Sequence, residues 1–139
     1  MDKFVVGFAF DSKSEQILLI TKNRPEWQKG CLNGIGGKIE IRETPSTAMK
    51  RESMEETGLN LNWFRRGVMT GKNNDGMPFE CHIFYAYDNQ IYFFNQIEDE
   101  PLALYDVDKV NEYPIIRNLF YLIPFGRSID RCTFITLEY

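Results

Sequence analysis

Residues 37–59 read GKIEIRETPSTAMKRESMEETGL, and the fold turns on this stretch. Thr44 followed by Pro45 is a strong helix start: a threonine N-cap accepts a backbone N–H, and proline at the first helical position gives up no needed donor. The spacing predicts a helix from there to about Thr57, with Gly58 at the left-handed position that ends it. Glu52, Glu55 and Glu56 then lie on one side of that helix. Glu43, just before the start, is able to fold back toward them. Like charges this close repel by roughly a few tenths of a kcal/mol per pair even when exposed. Arg51, one turn before Glu55 and near Glu43 in sequence, neutralises one carboxylate, and a divalent cation would neutralise the rest. Oxygen ligands without histidine or cysteine favour Mg²⁺ or Mn²⁺. A glutamate-rich helix face alone is ordinary solvated surface. What adds weight is the segment before it, Leu32 to Ile39, an extended pattern interrupted by Gly34, Gly36 and Gly37. A glycine-rich strand end followed by an acidic helix face with an arginine is what metal-assisted cleavage of a phosphoanhydride requires.

Working outward, Phe4–Phe10 and Gln16–Ile20 are apolar and β-rich around a polar break at 11–15, which predicts a hairpin. Residues 23–30 are polar and turn-forming and read as an exposed loop. Residues 61–72, 78–87 and 91–97 read as strands, with a turn at 73–76 between the first two. Leu102–Val107 is a further short strand, Ile115–Phe125 a second, mostly buried helix, and Cys132–Tyr139 a late strand. Few helices and many strands give a mixed α/β or α+β domain, expected to be a single one over residues 1–139.

Composition sets the outer bounds. A chain of 139 residues with 43% hydrophobic and 26% charged residues has ordinary globular usage, which argues against disorder. A formal net charge of −4 weakens the case for a field-driven nucleic-acid binder, so no stable nucleic-acid partner is expected. Cys31, Cys81 and Cys132 form no CxxC pair and read as reduced thiols. The single histidine, His82, excludes a histidine-rich metal site. There is no signal-like apolar run at the start and no apolar segment near the roughly 18 residues a membrane span needs. The expectation is a cytoplasmic protein without a membrane partner.

Gly37, Glu43, Arg51-Glu52, Glu55-Glu56 and Gly58-Leu59 resemble the Nudix box at every spacing. The box departs at Ser53, where the family prefers an aliphatic residue facing the core; Met49, one turn earlier, is the residue placed to fill that space. The resemblance implies the Nudix αβα sandwich with a mixed central sheet, and a Mg²⁺- or Mn²⁺-dependent hydrolase acting on a nucleotide. It implies Glu52, Glu55 and Glu56 as metal ligands, joined by a backbone carbonyl near Gly36 or Gly37. Arg51 and Glu43 would pair to orient the acids, and Lys38 would meet substrate phosphate. A further glutamate outside the box often serves the family as ligand or base; Glu98-Asp99-Glu100 is the local candidate, with Glu100 the best match.

The segment Asn33-Gly34-Ile35-Gly36-Gly37-Lys38 is similar to that of the MutT-like oxidised-purine nucleoside triphosphatases. That likeness implies Asn33 and Asn118 as purine-reading residues, with Trp27 covering the pocket or merely anchoring its loop. Phe8, Phe79 and Phe120 are other aromatics able to stack on a base, although aromatics more commonly fill a core. The expected reaction is hydrolysis of a purine deoxynucleoside triphosphate, such as 8-oxo-dGTP, to monophosphate and pyrophosphate, by a monomer or homodimer. Alternatives are a Nudix pyrophosphatase for ADP-ribose, NADH or a dinucleoside polyphosphate, an RNA-cap hydrolase, and a non-catalytic nucleotide sensor.

Overall fold

A computed structural model describes residues 1–128 and 133–139. The strands are β1 (Asp2–Phe10), β2 (Gln16–Thr21), β3 (Leu32–Asn33), β4 (Ile35–Lys38), β5 (Phe64–Lys72), β6 (Pro78–Tyr87), β7 (Leu102–Asp106) and β8 (Ile135–Glu138). The helices are α1 (Pro45–Thr57) and α2 (Leu119–Ser128). The strands of the described residues form one mixed sheet in the order β3-β2-β1-β6-β5-β8, with β4 also pairing β1 and β7 pairing β2. β1 runs parallel to β6, and β5 parallel to β8; the other pairings are antiparallel.

The alternation of side chains along a strand builds two cores from one sheet. Phe8, Phe10, Ile17 and Leu19 face the layer that holds Leu119, Leu122 and Ile123 of α2. Their neighbours Val5, Ala9, Leu18 and Ile20 face Ala48 and Met49 of α1. This is a helix–sheet–helix sandwich, and it explains why β1 and β2 read as continuous apolar runs: both faces are covered. Gly7 lacks a side chain where α1 presses closest. A Cβ there would stand 2.6 Å from Met49 Cε and 2.7 Å from Trp63 Cζ3.

Helix α1 follows its sequence signals. The Thr44 side chain accepts from the Thr47 N–H at 3.1 Å, and the Thr44 N–H donates to Thr47 Oγ1 at 3.0 Å, a reciprocal cap. Gly58 closes the helix at φ 71°, and its N–H donates to the Met54 carbonyl. Ser53 is wholly buried beneath the helix and donates its Oγ–H to the Leu59 carbonyl at 2.9 Å. The departure from an aliphatic residue is thus accommodated by a satisfied hydrogen bond, with Met49 fully buried beside it.

Three expectations need correction. Residues 91–97 are not a strand: Asn89–Phe93 is a 3₁₀ turn, capped by the Asp88 carboxylate accepting from the Gln90 N–H at 2.8 Å. β6, the strand just before it, already pairs with β1 on one side and β5 on the other, so it offers this segment no edge for a hairpin. The second helix starts at Leu119 rather than Ile115, because Ile115 bridges to Leu32 and the Ile116 N–H donates to the Leu32 carbonyl. It continues through Pro124 to Ser128. β5 starts at Phe64, after Leu61 and Trp63 have been buried against the α1 side. The hairpin, the turn at 73–76, β7 and the late strand are where they were expected, although Cys132 lies outside the described residues. Among the described residues no helix is long and apolar enough to cross a membrane.

Candidate functional site

The site forms where β4 passes under α1. β4 pairs with β1 through Val5↔Gly37 and Val6↔Gly36. Gly37 leaves room for a carboxylate: a Cβ there would stand 2.6 Å from Glu52 Cδ. The glycine is required by this close approach rather than by its backbone angles.

Arg51 organises the acids around it. Its Nε donates to Glu43 Oε2 at 2.6 Å and its Nη2 to Glu43 Oε1 at 2.8 Å, a two-pronged pair. Nη2 also donates to the Lys38 carbonyl at 3.0 Å, which ties α1 to β4. Nη1 donates to Glu52 Oε1 at 2.9 Å and Glu55 Oε2 at 3.2 Å. The Arg51 guanidinium holds the Glu43 carboxyl down at about 2.

Glu56 has no such relief. It is 6% exposed, and its Oε2 has no hydrogen-bond partner. Burial pushes its carboxyl up, the Glu52 carboxylate pushes it further and Glu98 adds to both, against a weaker opposing pull from Lys22. Burial raises Glu52 as well, despite Arg51. Two neighbouring acids, one of them buried with an orphaned oxygen, are costly unless a proton or a cation sits between them. The donor set is all oxygen, so the residues fit a hard divalent cation. The described residues contain no ready-made group of three or more His, Cys, Asp or Glu side chains for a metal. Glu55 is exposed and turned to Arg51, which leaves half-buried Glu52 beside buried Glu56.

The acidic triplet divides its work in a way the sequence does not announce. Glu100, the favoured candidate, is 5% exposed and already committed. Its Oε2 accepts from the Asn23 N–H at 2.6 Å and the Arg24 N–H at 3.3 Å, and its Oε1 pairs with Lys22 Nζ at 3.1 Å. Burial would raise Glu100, but these partners outweigh it and its carboxyl sits below the ordinary range. Asp99 binds the Arg24 guanidinium with both oxygens, at 2.9 and 3.0 Å. Glu98 is exposed, and its charge adds to the upward push on the Glu56 carboxyl.

The substrate candidates are more scattered. Asn33 accepts from the Gly34 N–H at 2.8 Å and donates Nδ2 to Gln28 Oε1 at 3.2 Å, so Gln28 of the 23–30 loop fixes its amide. Asn118 donates instead to Met69 Sδ at 3.1 Å, in the core on the α2 side. Lys38 is exposed and pairs with Asp2 at 3.2 Å. Trp27 is 62% exposed, on the 3₁₀ turn Glu26–Gln28. Phe8 is fully buried and belongs to the core. Lys22, Gln28 and Gln96 were not singled out from sequence; they sit in or beside irregular loops, where no periodicity marks a side chain's direction.

The family model described as the NUDIX domain matches residues 3–116. Among solved structures, a MutT protein from Bacillus halodurans superposes with a TM-score of 0.76 at 22% identity, covering 100% of this chain and 90% of that one. A MutT structure from work on Aliivibrio salmonicida and Vibrio cholerae gives 0.67 at 18% identity, covering 93% and 98%. The NUDIX domain of Shewanella oneidensis NrtR, complexed with ADP ribose, gives 0.76 at 16% identity, covering 90% and 85%. At these identities the structural likeness carries the fold.

Proposed function

Because the chain belongs to the Nudix family of hydrolases, which generally act on phosphoanhydrides, we propose that it is a divalent-metal-dependent nucleoside triphosphate pyrophosphohydrolase. The products are a nucleoside monophosphate and pyrophosphate. The observation that carries this reading is Glu56, buried beside Glu52 with one oxygen unpartnered. Glu52, Glu55 and Glu56 would hold Mg²⁺ or Mn²⁺, with a backbone carbonyl near Gly36 or Gly37 as a further ligand. When bound, the cation supplies charge compensation and Lewis-acid polarisation at phosphate oxygens.

The chain's own residues do the rest. Arg51 and Glu43 hold α1 to β4 and so fix Glu52 over Gly37. Water attacks a phosphorus, the bridging P–O bond breaks, and the water's proton passes to a carboxylate of the acidic group. Fixed charges in a partly desolvated site lower the barrier chiefly by electrostatics and positioning. Asn33, held by Gln28, offers its amide to a purine edge, and Trp27 stands in the same loop as Gln28. These features favour a purine deoxynucleotide such as 8-oxo-dGTP, and with it a role in cleansing the nucleotide pool. A second reading, hydrolysis of ADP-ribose, NADH or a dinucleoside polyphosphate, is favoured by the equally good superposition on the NrtR domain complexed with ADP ribose.

The test is release of mononucleotide products, resolved by chromatography, with Mg²⁺ across ordinary and 8-oxo nucleoside triphosphates, ADP-ribose, NADH and a diadenosine polyphosphate, with chelator as control. Preference for a purine triphosphate supports the proposal; preference for a dinucleotide moves it to the second reading; no release overturns both. Glu56→Gln should fold and lose at least about a hundredfold in kcat, the scale on which removing a preorganised electrostatic group acts. Near wild-type turnover in that variant would sink the assignment of Glu56.

A further inference from the structure

His82, the chain's only histidine, is buried in β6 and takes no part in the chemistry proposed above. It is the middle member of a hydrogen-bonded row. Arg65 Nε donates to its Nδ1 at 2.8 Å, and its Nε2 meets Glu80 Oε2 at 2.8 Å. An arginine N–H can only donate, so Nδ1 carries a lone pair and the ring proton sits on Nε2, donated to the carboxylate. A bulge between Arg65 and Gly67 shifts the β5 register there, the kind of irregularity that re-aims a side chain. The other side of Arg65 holds the end of the chain. Its Cζ lies 5.0 Å from the centre of the Phe134 ring, a cation–π contact one residue before β8 begins. β8 has four residues, stands at the edge of the sheet and, among the described residues, pairs with β5 alone, from Gly67↔Ile135 to Thr70↔Glu138. The Tyr139 N–H donates to the Thr70 carbonyl at 2.9 Å just beyond it.

Register fixes the other charges on this face. Lys3 of β1 stands beside Glu80, and on its other side come Thr70 of β5 and Glu138 of β8. Val5 and Val68 flank His82 itself, and beyond Val5 lies Gly37, under Glu52 of α1. Glu80 favours a second proton on the ring, while Arg65 and Lys3 oppose it. That proton has one place to go, which is Nδ1, the atom that Arg65 already uses. We infer that His82 is a proton-operated latch on the C-terminal strand: while the ring is neutral it holds Arg65 against Phe134 and so keeps β8 on the sheet, and a proton on Nδ1 expels Arg65 and frees β8. Opening the latch bares the outer edge of β5, a row of backbone groups without partners. The latch is independent of the nucleotide chemistry, and it is local: it acts on one edge strand and not on the two cores.

The test is nuclear magnetic resonance on the nitrogen-labelled full chain, without substrate. At about pH 8 the His82 ring should show a proton on Nε2 and none on Nδ1; the opposite tautomer overturns the latch. Amide exchange is then compared at about pH 8 and about pH 5.5, across the range in which histidines ordinarily change charge. After correction for intrinsic rates, exchange in β8 and at Tyr139 should quicken about two- to fivefold relative to β6, the scale of one exposed cation–π contact. His82→Gln keeps an oxygen for Arg65 and an N–H for Glu80 without titrating, so β8 should stay protected at both pH values while Glu52 and Glu56 still titrate. Arg65→Ala should leave β8 equally loose at both. Wild-type β8 exchange that does not change relative to β6 sinks the inference, as does a pH response that survives in His82→Gln or in Arg65→Ala. If His82→Gln does not fold, the tautomer and Arg65→Ala still decide it.

Discussion

Glu56 and Glu43 belong to the same acidic cluster, yet they respond to pH in opposite senses. Glu43, clamped by Arg51, is lowered from 4.5 to about 2, so its contribution is present above 4.5 and is lost as pH falls toward 2. Glu56 is raised by burial and by Glu52, so its protonated form stabilises the fold below 4.5, and that stability drains away as pH climbs through neutrality. With chelator present, thermal scans should therefore show a protein more stable near pH 5 than near pH 8. Saturating Mg²⁺ should move the optimum toward neutral pH and release protons, read as buffer-dependent heat in calorimetry. A chelated protein that is more stable at pH 8 would contradict the buried pair. At this scale the box is legible in sequence, because helical periodicity places Arg51, Glu52, Glu55 and Glu56 before any coordinate is known. The surroundings of Glu98 and Glu100 are not legible. Both lie in an irregular loop, and only the backbone path puts Glu100 inside and Glu98 out.

The elements show the same division. Helix α1 was readable from end to end because Thr44, Pro45 and Gly58 are each matched to one backbone geometry. The segment 91–97 was misread because its aromatic content suits a strand while its neighbours leave it no partner; pairing is a property of the sheet, not of the segment. The fit of α1 on β1 depends on Gly7, and nothing in the local sequence marks that glycine as a packing residue. Gly7→Ala would push a methyl into Met49 and Trp63. Overpacking of this kind costs about 1–3 kcal/mol. Because α1 carries the acids, activity should fall along with the denaturation midpoint, measured by urea titration. Unchanged stability would mean that α1 rides further from the sheet than the structure places it.

For the molecule as a whole, stability and cation binding are linked, since a cation that binds only the folded chain stabilises it. Mg²⁺ at a hundred times its dissociation constant should add about 2.7 kcal/mol, seen as a raised thermal midpoint that chelator reverses. Glu56→Gln should lose most of that rise and be no less stable than the wild type in chelator near neutral pH, since a neutral amide carries no cost of keeping a buried carboxyl protonated. The mixed α/β class is foreseeable from alternation and the layered sandwich from the resemblance to the Nudix box, whereas the strand order is not, because it depends on contacts between distant parts of the chain. One of those contacts sets a timetable. β1 lies in the middle of the sheet and pairs along its length with β6, from Asp2↔Phe79 to Phe10↔Tyr87. A ribosome adding about 5–20 residues per second needs roughly 4–15 s to go from the first of these strands to the last residue of the second. Throughout that interval the nascent hairpin carries a bare apolar edge with nothing to zip onto it. Newly made chains are therefore most in need of a chaperone's shelter during translation, until Tyr87 has been added and β6 is free to cover that edge.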